Sequence, residues 1–349
     1  MKIASWRTTV VRVEYDQALP GTHIVLQMRT DEGLEGIAYI SKLRNPKGVL
    51  SVLEAYLEQL KGQDALDIEA IHFQLRRRRL YNYLSGLEAV AASGIDVALW
   101  DIKGKASGLP LYRLLGGFRN RVPTYASWRV EPGDDLDAIA RSAARHVENG
   151  FTAMKWHGGP LSGERAAAHM RLLRETVGAK VDIMLDVNQL WSAKESIANM
   201  RLIEPYRPYW FEDPAARDNY VGLRQVTEAL DTPTCAGETY QEITPFRELI
   251  ERRAVDIVMV DLDLGLTGCL KVAHMAEAYG LPIVPHLATE ILAHLIAAVP
   301  NGLTVEYYPW AVPLFQEVPP VVDGCLVLPD KPGLGLELDE AALKRFAVE

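Results

Sequence analysis

The chain has 349 residues, 48% of them hydrophobic and 24% charged, a balance that excludes a disordered or fibrous protein. With 37 basic and 46 acidic residues the net charge is −9, which argues against nucleic acid as a partner because phosphate binding needs a basic surface. The three cysteines, Cys235, Cys269 and Cys325, form no CxxC and no Cys/His cluster, so neither a disulfide framework nor a structural zinc site is expected. The first residues lack the apolar core of a signal peptide, and no run of about 20 apolar residues could span a bilayer. A cytoplasmic protein with no membrane partner is the economical expectation.

The first 120 residues read as an α+β unit. Residues 3–14, 23–30 and 35–40 alternate or run apolar with β-branched residues, and Asp31-Glu32-Gly33 separates the last two, which predicts a three-stranded meander. Residues 47–61, 64–79 and 86–107 have helical spacing. Arg76 to Arg79 form a basic run that reads as a solvated helix end favoured by the dipole.

From Val122 a repeat sets in. Short β-rich segments at 122–127, 153–158, 182–188, 209–214, 234–239, 256–262, 282–287 and 303–308 are separated by mostly helical spacers. This pattern predicts repeated βα units with a parallel sheet, and eight of them predict a closed barrel rather than an open sheet. The chain thus divides into a domain of residues 1–120 and a barrel of residues 121–319, with residues 320–349 expected to return to the first domain. Gly158-Gly159 and Gly265-x-x-Gly268 are loop glycines that complete no dinucleotide fingerprint.

Chemistry in such a barrel sits at the C-terminal ends of the strands. There the sequence places Lys155 and His157 on the second strand, Asp186 on the third, Glu212-Asp213 on the fourth, Glu238 on the fifth, Asp261 on the sixth, His286 on the seventh and Glu306 on the eighth. Buried charges are expensive unless paired or metal-bound, so this collection is not incidental. Asp186, Glu212 and Glu238 fall on consecutive strands, and oxygen-only ligands select Mg²⁺ or Mn²⁺ over zinc. Lys155 and His157 share a face, His286 stands across the mouth, and Asp261 is placed to bond its Nδ1. A cation flanked by two proton-transfer groups is what abstraction of a proton α to a carboxylate requires.

The helix AVAASGIDVALWDIKGKASGLPLYRLLGG (89–117), MKWH (154–157), DVNQ (186–189), FEDP (211–214), AGET (236–239), the sixth-strand aspartate and PHLATEILAHLIAAVP (285–300) occur in order along nearly the whole chain. With these marks the sequence resembles the mandelate racemase branch of the enolase superfamily. The resemblance implies an N-terminal α+β capping domain over a modified TIM barrel of (β/α)₇β form, and a homo-oligomer between dimer and octamer. It implies Mg²⁺ on Asp186, Glu212 and Glu238, with Asn188 supporting the site. Asp261 and His286 would form an acid–base dyad, Glu306 would hydrogen-bond a substrate carboxylate oxygen, and Lys155 would lie beside that carboxylate.

The departure is His157, where the racemase pattern has a second lysine. It favours a one-base process in which His286 or Lys155 removes the α-proton and a neighbouring acid assists loss of the β-hydroxyl. Dehydration of a sugar acid through an enediolate is therefore the leading expectation. Racemisation or epimerisation of a 2-hydroxy acid is the alternative, and a barrel that binds its ligand without turnover is a third. Ser127 and Arg129 on the first strand are candidates for substrate contact. Two cap loops, near residues 16–22 and 41–47, are expected to close over the mouth. The second carries Lys42, Arg44 and Lys47, and Arg44 is a candidate for attracting the acid.

Overall fold

The computed structural model describes residues 1–15, 18–41, 45–76, 85–129, 135–158 and 161–348. Strands β1 (Ile3–Tyr15), β2 (Ala18–Thr30) and β3 (Glu35–Ile40) form an antiparallel sheet in chain order. The first expected cap loop is shorter than the sequence indicated, because backbone pairing carries β2 back to Ala18, opposite Tyr15. A register shift between Val13 and Tyr15 bends this long hairpin.

Helix α1 (Pro46–Leu60) begins where Asn45 accepts a hydrogen bond from the Gly48 amide at 3.0 Å, with proline in the first turn. Residues 45–47 of the second expected loop therefore belong to a helix start, and Lys42 and Arg44 lie outside the described residues. Helix α2 (Ile68–Arg76) follows, then α3 (Leu87–Ser107), which is buried over most of its length. The small residues of α3 let the sheet lie directly on it: a Cβ on Gly36 of β3 would collide with the Ala98 carbonyl. Arg76 is not a solvated helix end. It is partly buried and donates to two loop carbonyls, while Arg77, Arg78 and Arg79 lie outside the described residues.

After a short α4 (Leu111–Leu114), strands and helices alternate. They are β4 (Arg121–Arg129), α5 (Leu136–Glu148), β5 (Ala153–His157), α6 (Gly163–Val177), β6 (Asp182–Asp186), α7 (Ala193–Ile203), β7 (Phe211–Glu212) and α8 (Tyr220–Ala229). Then come β8 (Thr234–Ala236), α9 (Ile243–Glu251), β9 (Ile257–Asp261), α10 (Gly265–Ala278), β10 (Ile283–His286), α11 (Thr289–Ala298) and β11 (Val305–Tyr307). Strands β4 to β10 pair in sequence order, all parallel. Strand β11 pairs with β4, and its lead-in bridges β10 through Leu303 N–H to the Ile283 carbonyl at 2.9 Å, which closes the ring. A hairpin of β12 (Val321–Val322) and β13 (Cys325–Val327) adds antiparallel to the start of β4. The last stretch, with α12 (Glu340–Phe346), reaches Asp101 through the Leu334 amide and Val10 through the Val348 amide.

Two apolar clusters result. The larger fills the space between the sheets and helices. The smaller, made of Tyr125, Met184, Trp210, Cys235, Ile257, Met259 and Val284, fills the inside of the ring. It plugs the barrel with side chains, so the ionisable residues above it rest on a dry floor. Across the two halves, the Tyr39 hydroxyl of β3 donates to Glu290 of α11 at 2.8 Å. Among the described residues no helix is long and apolar enough to cross a membrane.

One buried group makes the core pH-sensitive. His294 accepts the Tyr112 amide at Nδ1 and donates from Nε2 to the Leu334 carbonyl. Burial lowers its pKa to about 4, because a second ring proton would face an N–H and have no water. The unfolded chain takes up that proton near pH 6.5. The stability contribution is thus complete above the unfolded value and is lost as pH falls from there toward 4. The melting temperature in EDTA is expected to fall over this interval, and less steeply for His294→Gln. Parallel curves for the two proteins would contradict the assignment.

Candidate active site

Strand period places the reacting groups. On β5, Met154 and Trp156 turn outward to the helices, the latter meeting the His169 ring of α6 at a tilt, while Lys155 and His157 turn into the mouth. Trp210 and Glu212 share a face in the same way, and the indole N–H donates to Glu212 Oε2 at 2.9 Å. Trp210 is a site residue that sequence reasoning missed, although its place two residues before Glu212 carried the signal. Parallel register sets Ser127 beside Lys155, Arg129 beside His157, and His157 beside Asp186.

Asp186, Glu212 and Glu238 each offer an oxygen, all within 4.8 Å of one another. Asn188 fixes the first of these carboxylates. Its amide donates to Oδ1 and its side chain to Oδ2, both at 2.7 Å, with the backbone in the left-handed region at φ 46°. Gly237, at φ 133°, brings Glu238 round the end of β8, where any Cβ would meet the Met259 carbonyl of β9. Asp213 lies behind the cluster, buried, and accepts from Gln189 at 2.9 Å.

Lys155 is fully buried, 2.5 Å from Glu212 and 3.2 Å from Glu306. Burial pulls its pKa down, but those two carboxylates outweigh it and hold it well above the ordinary lysine range. Those two carboxylates hold the ammonium in place at the floor of the mouth. Burial pushes Glu212 well up, Lys155 opposes this, and the other carboxylates add to it. Glu306 behaves differently. Burial would raise it, but Lys155, His286, the Ser127 hydroxyl and the Leu287 amide bring it down to about 2. It is ionised, and it accepts the Leu287 N–H at 2.8 Å. Leu287 and Ala288 both adopt positive φ, at 51° and 46°. Such a turn costs on the order of 1–3 kcal/mol per residue, and no residue type in HLAT announces it.

The dyad is formed. His286 Nδ1 lies 2.7 Å from Asp261 Oδ2, and its Nε2 lies 3.0 Å from Glu238 Oε2. The Asp263 amide donates to the other Asp261 oxygen at 3.0 Å. On the opposite side, His157 Nδ1 lies 2.9 Å from Asp186 Oδ2, and its Nε2 lies 3.4 Å from Ser127 Oγ. Ser127 is thus in the site, and Arg129 stands at the strand end next to His157. Around this mouth six carboxylates (Asp186, Glu212, Asp213, Glu238, Asp261 and Glu306) face one lysine, all buried or nearly so. That surplus suits a divalent cation bound through oxygen ligands.

Two family models match the chain: the mandelate racemase / muconate lactonizing enzyme N-terminal domain over residues 9–116, and the enolase C-terminal domain-like model over residues 138–342. The chain belongs to the mandelate racemase / muconate lactonizing enzyme family. It is 32% identical over 322 residues to the L-talarate/galactarate dehydratase of Salmonella typhimurium, covering 91% of this chain and 81% of that one. The structure superposes with TM-score 0.92 and 30% identity on L-talarate dehydratase from Polaromonas sp. JS666 complexed with Mg and L-glucarate, over 100% of this chain and 98% of that one. It superposes with TM-score 0.94 and 26% identity on a racemase from Streptomyces coelicolor A3(2) with bound magnesium, over 99% and 100%.

Glu238→Gln, at the most exposed of the three clustered acids, is expected to weaken Mg²⁺ binding at least tenfold in isothermal titration calorimetry. Lys155→Met is expected to cost about 3–5 kcal/mol in denaturant unfolding, since it strips the buried ammonium from Glu212 and Glu306. Unchanged Mg²⁺ affinity in the first variant, or unchanged stability in the second, would contradict this account of the cluster.

Proposed function

We propose that the protein is a Mg²⁺-dependent sugar-acid dehydratase, forming a 2-keto-3-deoxy acid after removal of the proton α to the carboxylate. The observation that carries this reading is the unequal equipment of the two faces. One face holds His286 backed by Asp261, a carboxylate outside the three-acid cluster, and the other holds His157, whose Nδ1 lies 2.9 Å from the cluster acid Asp186 and whose Nε2 lies 3.4 Å from Ser127. The relatives named as dehydratases and the neighbour complexed with L-glucarate support the substrate class.

Asp186, Glu212 and Glu238 would hold the magnesium ion, which when bound supplies positive charge to the substrate carboxylate as its charge grows. Lys155, buried between Glu212 and Glu306, adds a second positive field from below. Glu306 meets the substrate carboxylate as a hydrogen-bond donor only after taking up a proton, which the incoming negative charge favours. Asp261 accepts Nδ1–H of His286, so the Nε2 lone pair faces the mouth and takes the α-proton. The C–H electron pair moves toward the carboxylate to give the enediolate, which then forms the carbon–carbon double bond as the β-hydroxyl leaves. The imidazolium returns its proton to that hydroxyl, which departs as water, and the enol then ketonises. His157 and Ser127 orient substrate oxygens on the far side.

The test is proton NMR in D₂O with Mg²⁺ and a panel of aldonic and aldaric acids. Loss of the β-hydroxyl with appearance of a 2-keto-3-deoxy product is expected, and His286→Asn should abolish it. In His157→Asn some turnover of the same substrate should persist. The similar racemase keeps a second reading in view, in which both histidines exchange protons with a 2-hydroxy acid. Deuterium entering the α-position without loss of hydroxyl would support it and overturn dehydration.

A further inference from the structure

Arg76 closes α2 of the cap, yet its guanidinium reaches the barrel. Nη1 donates to the Gln241 carbonyl and Nη2 to the Asp263 carbonyl, both at 2.8 Å. These carbonyls belong to different loops. Gln241 follows the clustered carboxylate Glu238 by three residues, and Asp263 follows the dyad aspartate Asp261 by two. The loops are also joined by the Gln241 side chain, which donates to Asp263 Oδ2 at 3.0 Å and accepts the Gly86 amide at 2.7 Å.

Asp263 transmits through the two peptide groups that flank its Cα. Its carbonyl accepts from Arg76, while its own N–H donates to Asp261 Oδ1 at 3.0 Å. The other oxygen of Asp261 orients His286, whose Nε2 reaches back to Glu238 at 3.0 Å. The contacts thus form a ring from Arg76 through the dyad to Glu238 and back through Gln241. The planar guanidinium holds the two carbonyls through separate nitrogens in a fixed geometry, whereas a lysine ammonium is a point donor on a flexible stem, so lysine is not equivalent here.

We infer that Arg76 is a positioning residue, through which the cap fixes the aim of His286 relative to Glu238. This rests on the proton-abstraction reading of the site. A displacement of about 1 Å at reacting atoms costs on the order of 10²-fold in rate, so a loosened clamp appears in kcat before it appears in substrate binding.

The experiment compares wild type, Arg76→Lys and Arg76→Met as Mg²⁺-loaded full-length proteins. Amide hydrogen exchange by mass spectrometry over residues 257–266 needs no substrate. Exchange there is expected to be faster in Arg76→Met, with far barrel segments unchanged. On a substrate turned over by wild type, kcat should fall at least tenfold with KM within threefold. Arg76→Lys should lie between, and added guanidinium should partly restore Arg76→Ala. Unchanged exchange over 257–266, or a folded Arg76→Met with kcat within twofold of wild type, overturns the inference. If Arg76→Met does not fold, Arg76→Lys carries the same comparison. If wild type turns over no acid, the functional reading fails while the exchange result still decides the clamp.

Discussion

Six carboxylates gathered at the mouth of one barrel, with a single lysine among them, is the condition that organises this protein. Like charges held this close in a dry site repel strongly, and desolvation adds to the cost of each. The chain offsets it with Lys155 between Glu212 and Glu306, Trp210 on Glu212, and Asn188 on Asp186. The remainder is met by a bound cation, so metal binding and the ordering of the mouth are one event.

The two sides of the mouth are not alike. Asp261 and His286 are neighbours in the sheet and meet at 2.7 Å, which turns Nε2 of the ring toward the mouth, beside Glu238. His157 is shorter than the lysine it replaces in the family pattern, and its nitrogens lie against Asp186 and Ser127. In the proposed reaction one face carries out proton transfer and the other orients. The cap contributes Tyr39 to Glu290 of α11, so the barrel rim is braced from above as well as from below.

Much of this was legible in the sequence because barrel strands are short and periodic. One βα unit per ligand put Asp186, Glu212 and Glu238 on neighbouring strands, and alternation on β5 paired Lys155 with His157. What was not legible depends on contacts between distant segments. Arg76 reads as a surface charge until two carbonyls from other loops are folded against it. That Lys155 lies between Glu212 and Glu306 is likewise a contact the sequence does not report. The extension of β2 to Ala18 rests on backbone pairing, which apolar alternation does not report. The left-handed turn at Leu287 and Ala288 is imposed by tertiary structure against residue preference.

The most direct measurement is a crystal structure of His286→Asn with Mg²⁺ and a sugar acid that the wild type dehydrates. The account predicts the ion on Asp186, Glu212 and Glu238, with the α-hydrogen directed at position 286 and His157 on the opposite face. An ion bound elsewhere, or an α-hydrogen turned toward His157, would contradict it.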